Sequence, residues 1–205
     1  MNRYILFIGI SILLTLMGYF FFGRDTVITN YPSSGTRIIA FGDSLIEGVG
    51  ADPSMTLVDQ LSRKTGVTIE NEGIAGDTTR EGLARIDEVL MGETPKIVIL
   101  LLGGNDFLKK IPREETYKNL EILIQKIHSS GAIVVLLGVR SGLIGGGFDD
   151  EFEQLSETYG TAYVDDVLNG VFAHSELMSD PIHPNSKGYE KIANRIAPVI
   201  IKLLQ

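Results

Sequence analysis

Two runs of this chain, Ile97-Val98-Ile99-Leu100-Leu101-Leu102 and Ala132-Ile133-Val134-Val135-Leu136-Leu137-Gly138-Val139, are apolar at successive positions instead of alternate ones. A strand reads this way when both of its faces are covered, as in the middle of a parallel sheet flanked by helices. These runs predict strands over Lys96–Leu102 and Ala132–Val139, and shorter strands are expected at Arg37–Phe41, Thr68–Asn71 and Ala162–Val164. Amphipathic segments alternate with them at about Leu57–Thr65, Thr78–Met91, Arg113–Ser129, Phe148–Tyr159 and Ser186–Leu203. In the last, Tyr189, Ile192, Ala193, Ile196 and Ile200 form one apolar stripe. The expected fold is α/β, a three-layer α/β/α, flavodoxin-like arrangement around a five-stranded parallel sheet. One domain over residues 37–205 can hold such a core.

Ahead of this domain, Tyr4 to Phe22 carries no charge, with Arg3 before it and Arg24-Asp25 after it. At ~1.5 Å per residue the stretch spans roughly 28 Å, about one hydrocarbon core. It ends in Tyr19-Phe20-Phe21-Phe22, where a cleavable leader would end in small residues. The expectation is an uncleaved transmembrane helix within residues 1–23, then a linker over 24–36 rich in Ser, Thr, Gly and Pro. Arg3 favours a cytoplasmic amino terminus and a periplasmic or extracytoplasmic domain. Secretion after cleavage is the alternative.

Three short segments follow expected strands. Gly42-Asp43-Ser44-Leu45 comes after the first, Gly73-Ile74-Ala75-Gly76-Asp77 after the second and Gly103-Gly104-Asn105-Asp106 after the third, while Asp180-Pro181-Ile182-His183 lies in a longer loop past the fifth. In open α/β sheets, sites form just beyond the carboxyl ends of the strands. A serine hydroxyl needs a neighbouring base to take its proton, and the base needs a carboxylate to fix its tautomer. Ser44, His183 and Asp180 supply these three side chains, and a tight turn can set a carboxylate against an imidazole three residues on. A glycine N–H and an Asn amide suit a developing oxyanion. Other roles are open to the same residues: Asp43-Ser44 is also a helix-capping pair, and Gly76 and Gly103-Gly104 also suit turns. Asp106 is expected to be structural and His128, in the last turn of a helix, to lie at the surface. His174 has no assigned role, and Asp165 and Asp166 are the next carboxylates to consider as partners of the base.

The blocks GDSLIEGVG, GIAGDTTREGLARI, GGNDF and DPIHPNSKGY, in this order, resemble those of the GDSL esterases, or SGNH hydrolases, and the branch of multifunctional thioesterases and lysophospholipases in particular. The resemblance implies Ser44, Gly76, Asn105 and His183 as the four name residues, with an oxyanion hole from the Ser44 and Gly76 N–H groups and the Asn105 amide. It implies a serine esterase acting on lysophospholipid, aryl or acyl esters, or acyl thioesters, through an acyl-enzyme. Polysaccharide or peptidoglycan O-deacetylation, and acyl transfer to a sugar, are alternatives within the same chemistry. In relatives the loop that here holds Gly145-Gly146-Gly147 borders the acyl pocket.

Composition narrows the field further. A net charge of -8, with no basic run, argues against a nucleic-acid surface. The absence of cysteine excludes a thiol nucleophile and disulfides. Three histidines scattered along the chain offer no metal-ligand spacing, and no cofactor motif is present. The expected partners are an ester or lipid substrate and, through the amino-terminal segment, a membrane.

Overall fold

The computed structural model describes residues 27–139, 148–172 and 174–205. The expected anchor and the glycine triplet at 145–147 lie outside them. Among the described residues no helix is long and apolar enough to cross a membrane.

Five strands, β1 (Arg37–Gly42), β2 (Glu70–Gly73), β3 (Pro95–Leu101), β4 (Ile133–Leu137) and β5 (Ala162–Val164), form one parallel sheet in the order β2-β1-β3-β4-β5. Among the described residues seven α-helices surround it: α1 (Ser44–Glu47), α2 (Leu57–Thr65), α3 (Thr79–Val89), α4 (Gly104–Leu108), α5 (Arg113–Ser129), α6 (Phe148–Tyr159) and α7 (Ser186–Leu203). The period-two alternation of the central strands divides the core. Ile38, Ala40, Ile97, Ile99, Ile133 and Val135 face α2 and α7, whereas Ile39, Phe41, Val98, Leu100, Val134 and Leu136 face α3, α5 and α6. Burying each such side chain contributes roughly 1.5–3 kcal/mol, so the doubly covered strands are what hold the three layers together.

The second strand differs from expectation. Pairing with β1 starts at Glu70 opposite Ile39 and runs to Gly73, two residues later than the apolar pattern suggests. Ile69, 6% exposed, packs into the core below, and the strand proper is a polar edge strand, Glu-Asn-Glu-Gly. The short helices α1 and α4 are additional to the expected elements; four and five residues carry no helical period.

Residues 28–36, expected as linker, are tied across the amino edge of the sheet. Thr29 N donates to Gly160 O at 2.8 Å. Asn30 Nδ2 donates to His128 O at 2.8 Å and Ala132 O at 2.9 Å, and Ser33 Oγ to Gly131 O at 2.9 Å. Thr36 N reaches Thr94 O at 3.0 Å. These contacts sit beside the end of α5, and His128 is half-buried there instead of at the surface. Its Nε2 is buried with no partner among the described residues, and burial lowers its pKa.

Candidate active site

β1 has β2 on one side and β3 on the other, so the connections leaving it diverge and open a crevice at the carboxyl edge. Ser44 stands at the mouth of that crevice. Gly42 must be glycine, because a Cβ there would lie 2.3 Å from Leu101 O on β3. Asp43 then caps α1, its Oδ1 accepting from Leu45 N at 3.0 Å, and Ser44 is the first residue of the helix. The capping reading and the nucleophile reading of Asp43-Ser44 are therefore compatible.

The base comes from the loop before α7. His183 Nε2 lies 3.1 Å from Ser44 Oγ, and Nδ1 lies 2.7 Å from Asp180 Oδ2. Asp180 Oδ1 also accepts from Ile182 N at 2.9 Å and His183 N at 2.8 Å, closing the tight turn. The hydrogen bond from the imidazole and those from the two backbone amides lower the Asp180 pKa below the usual carboxylate value. Three contacts stitch this loop to the serine loop: Tyr189 Oη donates to Val49 O at 2.7 Å, Ser186 Oγ to Asp52 Oδ2 at 2.7 Å and Asp52 N to Ser186 Oγ at 2.9 Å. Tyr189, from the predicted apolar stripe, is fully buried, and burial raises its pKa.

The other wall is built from the loops after β2 and β3. Asn105, on α4, donates from Nδ2 to Asp77 O at 2.9 Å and more loosely to Asp43 Oδ2 at 3.4 Å. Gly76 adopts φ +87°, a left-handed conformation suited to glycine. Its carbonyl accepts from Lys109 Nζ at 2.8 Å, and Ala75 N donates to Glu47 Oε2. Among the described residues, the Ser44 and Gly76 N–H groups meet no acceptor. Asp106, fully buried, accepts from Thr79 N at 2.8 Å and from the Thr79 hydroxyl, the structural brace expected of it.

Between these walls lies a cavity of about 90 Å³ lined by Ser44, Asn105 and His183 together with Leu45, Phe107, Leu108, Val139, Leu168, Phe172 and Ile182. Gly76 is not among the lining residues. Asp43, 4% exposed, borders the cavity and carries a carboxyl pushed up to about 7, mainly by burial and further by Asp77 and Asp106, with Leu45 N–H and His183 acting the other way. His174 stands apart, exposed, with Nδ1 3.3 Å from Glu176 Oε1. Arg85, Asp77, Glu47 and Lys109, all close to the site, had no role in the sequence reading. Their partners here are largely backbone groups, which leave no side-chain pattern to read.

Residues 40–191 match the model of the GDSL-like Lipase/Acylhydrolase family. The chain is 29% identical to Esterase TesA of Pseudomonas aeruginosa over 192 residues, 87% of this chain and 94% of that protein. It is 32% identical to an arylesterase of Vibrio mimicus over 179 residues, 82% of this chain and 90% of the other. Among solved structures, that of the psychrotrophic esterase EstA from Pseudoalteromonas superimposes with a TM-score of 0.74 at 26% identity, covering 82% of this chain and 98% of that one.

Proposed function

Because the chain belongs to the GDSL-like lipase/acylhydrolase family, we propose that it hydrolyses carboxylic esters with Ser44 as nucleophile, His183 as base and Asp180 as the carboxylate that orients it. The observation that carries this reading is the unbroken contact from Asp180 through His183 to Ser44 beside an apolar cavity.

Ser44 Oγ attacks the ester carbonyl while its proton passes to His183 Nε2. The Nδ1 hydrogen bond to Asp180 holds the ring in the tautomer that leaves Nε2 free to accept. Negative charge gathers on the former carbonyl oxygen and is met by the Ser44 and Gly76 N–H groups and the Asn105 amide. Collapse expels the alcohol, which takes the proton from His183. Water, deprotonated by the same ring, then releases the acid from the acyl-enzyme and restores the Ser44 hydroxyl.

Seven apolar residues on the cavity wall favour an apolar acyl group. The names of relatives, an arylesterase and a thioesterase 1/protease 1/lysophospholipase L1 of Escherichia coli, indicate how widely leaving groups vary on this scaffold. For this chain we assign aryl and alkyl esters and monoacyl lipids. With residues 1–23 as a membrane anchor, the domain would stand outside the cytoplasm. The strap over residues 28–36 crosses the amino edge of the sheet, whereas Ser44 lies beyond the carboxyl edge.

Turnover of a chain-length series of p-nitrophenyl esters, beside a lysophospholipid and an acetylated glycan, tests the assignment. Hydrolysis should favour the acyl esters and the lysophospholipid, and Ser44→Ala should lower it on the order of 10⁴- to 10⁶-fold. Preference for the glycan acetate would replace this substrate class with O-deacetylation, and wild-type-like turnover by Ser44→Ala would remove the triad.

A further inference from the structure

We propose that Arg85 is the positioning residue of the oxyanion wall, setting Asn105 through Asp77. Arg85 lies near the middle of α3, and its side chain gathers three separate pieces of chain. Nε donates to Asp77 Oδ2 at 2.8 Å, while Nη2 donates to Gly42 O at 3.0 Å and Glu72 O at 2.9 Å. Gly42 is the residue two before the nucleophile, Glu72 lies at the end of the edge strand, and the Asp77 carbonyl accepts from Asn105 Nδ2 at 2.9 Å. One guanidinium thus ties the end of β1, the end of β2 and the loop bearing Gly76 into a single unit.

The arrangement calls for arginine in particular. A planar fork can serve several acceptors at fixed angles, whereas the ammonium of lysine is a compact point donor. The guanidinium carbon also lies 4.1 Å from the centre of the Phe41 ring, which is fully buried, so the fork is seated on an aromatic face as well as hydrogen-bonded. The Arg85 and Asp77 side chains are only 17% and 10% exposed. Water has little access to replace the contact. Among the described residues β2 pairs with β1 alone and buries little apolar surface, and the loop following it is held to the end of β1 by Ile74 N donating to Gly42 O at 3.0 Å, the same carbonyl that Arg85 Nη2 reaches.

Without Arg85, the Asp77 carbonyl loses its anchor and the Asn105 amide its alignment. A misplacement of about 1 Å at a transition-state donor can lower rate on the order of 10²-fold. The inference rests on the reading of Asn105 as an oxyanion donor.

A double-mutant cycle on the full chain separates the two. Arg85→Met, paired with Asp77→Asn so that no buried charge is left without a partner, should lower kcat by about 10- to 100-fold with KM within about twofold. Arg85→Lys should fall between this variant and wild type. In an Asn105→Ala background the same pair of changes should have less than about a threefold further effect, because the donor it positions is already gone. An equal loss of kcat in both backgrounds, a rise in KM with kcat held, or no loss at all would each overturn the role of Arg85. Wild-type kcat in Asn105→Ala alone would instead overturn the oxyanion reading, and the route through Asn105 with it.

Discussion

The two walls of the crevice are built on opposite plans. The base wall is local: Asp180 and His183 are three residues apart in one turn, and the carboxylate accepts from the ring and from two amides of that same turn. The oxyanion wall is assembled from four segments, with Asp43 after β1, the loop at Gly76-Asp77, Asn105 on α4 and Arg85 on α3. Their carboxyls are pushed apart accordingly. Hydrogen bonds to the ring and the turn lower the pKa of Asp180, whereas burial raises that of Asp43 to about 7. Opposite shifts on two carboxyls that both act on His183 suit divided roles. A local wall should fail all at once when one member changes, and a distributed wall by degrees.

The sharpest break is Asp180→Asn. The amide fits the same turn but favours the wrong imidazole tautomer, so kcat is expected to fall by about 10⁴-fold with melting temperature nearly unchanged. Steady-state kinetics and a thermal melt on one preparation decide the point. Retention of most activity would hand the orienting role to another carboxylate and make the base wall distributed after all.

This difference also explains what the sequence made legible. Asp-Pro-Ile-His is a short-range pattern whose chemistry follows from its spacing, and the doubly apolar runs at Ile97–Leu102 and Ala132–Val139 mark β3 and β4 as interior strands of the sheet. Asn105 and Gly76 take their named roles from a family resemblance, and in the structure Asn105 lines the cavity with Ser44 and bonds to the Asp77 carbonyl next to Gly76. Arg85 stayed hidden inside Gly-Leu-Ala-Arg-Ile. Two of its three hydrogen-bond partners are backbone carbonyls at strand ends, and these leave no trace in residue identity. β2 was misplaced by two residues for a related reason: its strand pairing is polar, and the apolar signal belongs to Ile69 just before it.

On the distributed wall, Asn105→Ala should lower kcat by about 10²- to 10³-fold and leave KM within about twofold, a smaller loss than at Asp180 because two backbone donors remain. The matching measurement is binding of an alkylboronic acid, whose tetrahedral serine adduct carries charge where the oxyanion forms. Its affinity should fall together with kcat. A rise in KM with kcat held would make Asn105 a ground-state contact and leave the wall with backbone donors alone.

The mildest test concerns stability, through Asp43. Its folded pKa, raised to about 7, exceeds the value near 4 expected of an unfolded aspartate. Between those limits the folded chain binds more protons than the unfolded one, so this group makes stability fall as pH rises from about 4 to 7 and leaves it flat above. The groups facing it act in known directions: Asp77 and Asp106 add to the rise, while Leu45 N–H and His183 oppose it. Asp180, shifted the other way, gives stability that is lost toward acid, so the wild-type profile combines both trends. Asp43→Asn keeps an acceptor for Leu45 N–H and removes only the titration. Its stability relative to wild type should therefore improve by roughly 1 to 3 kcal/mol between pH 5 and pH 8, read from paired denaturant melts. A difference that stays constant across that interval would mean that Asp43 remains ionised beside Asn105 throughout, and that the two carboxyls of the site are not divided as the geometry indicates.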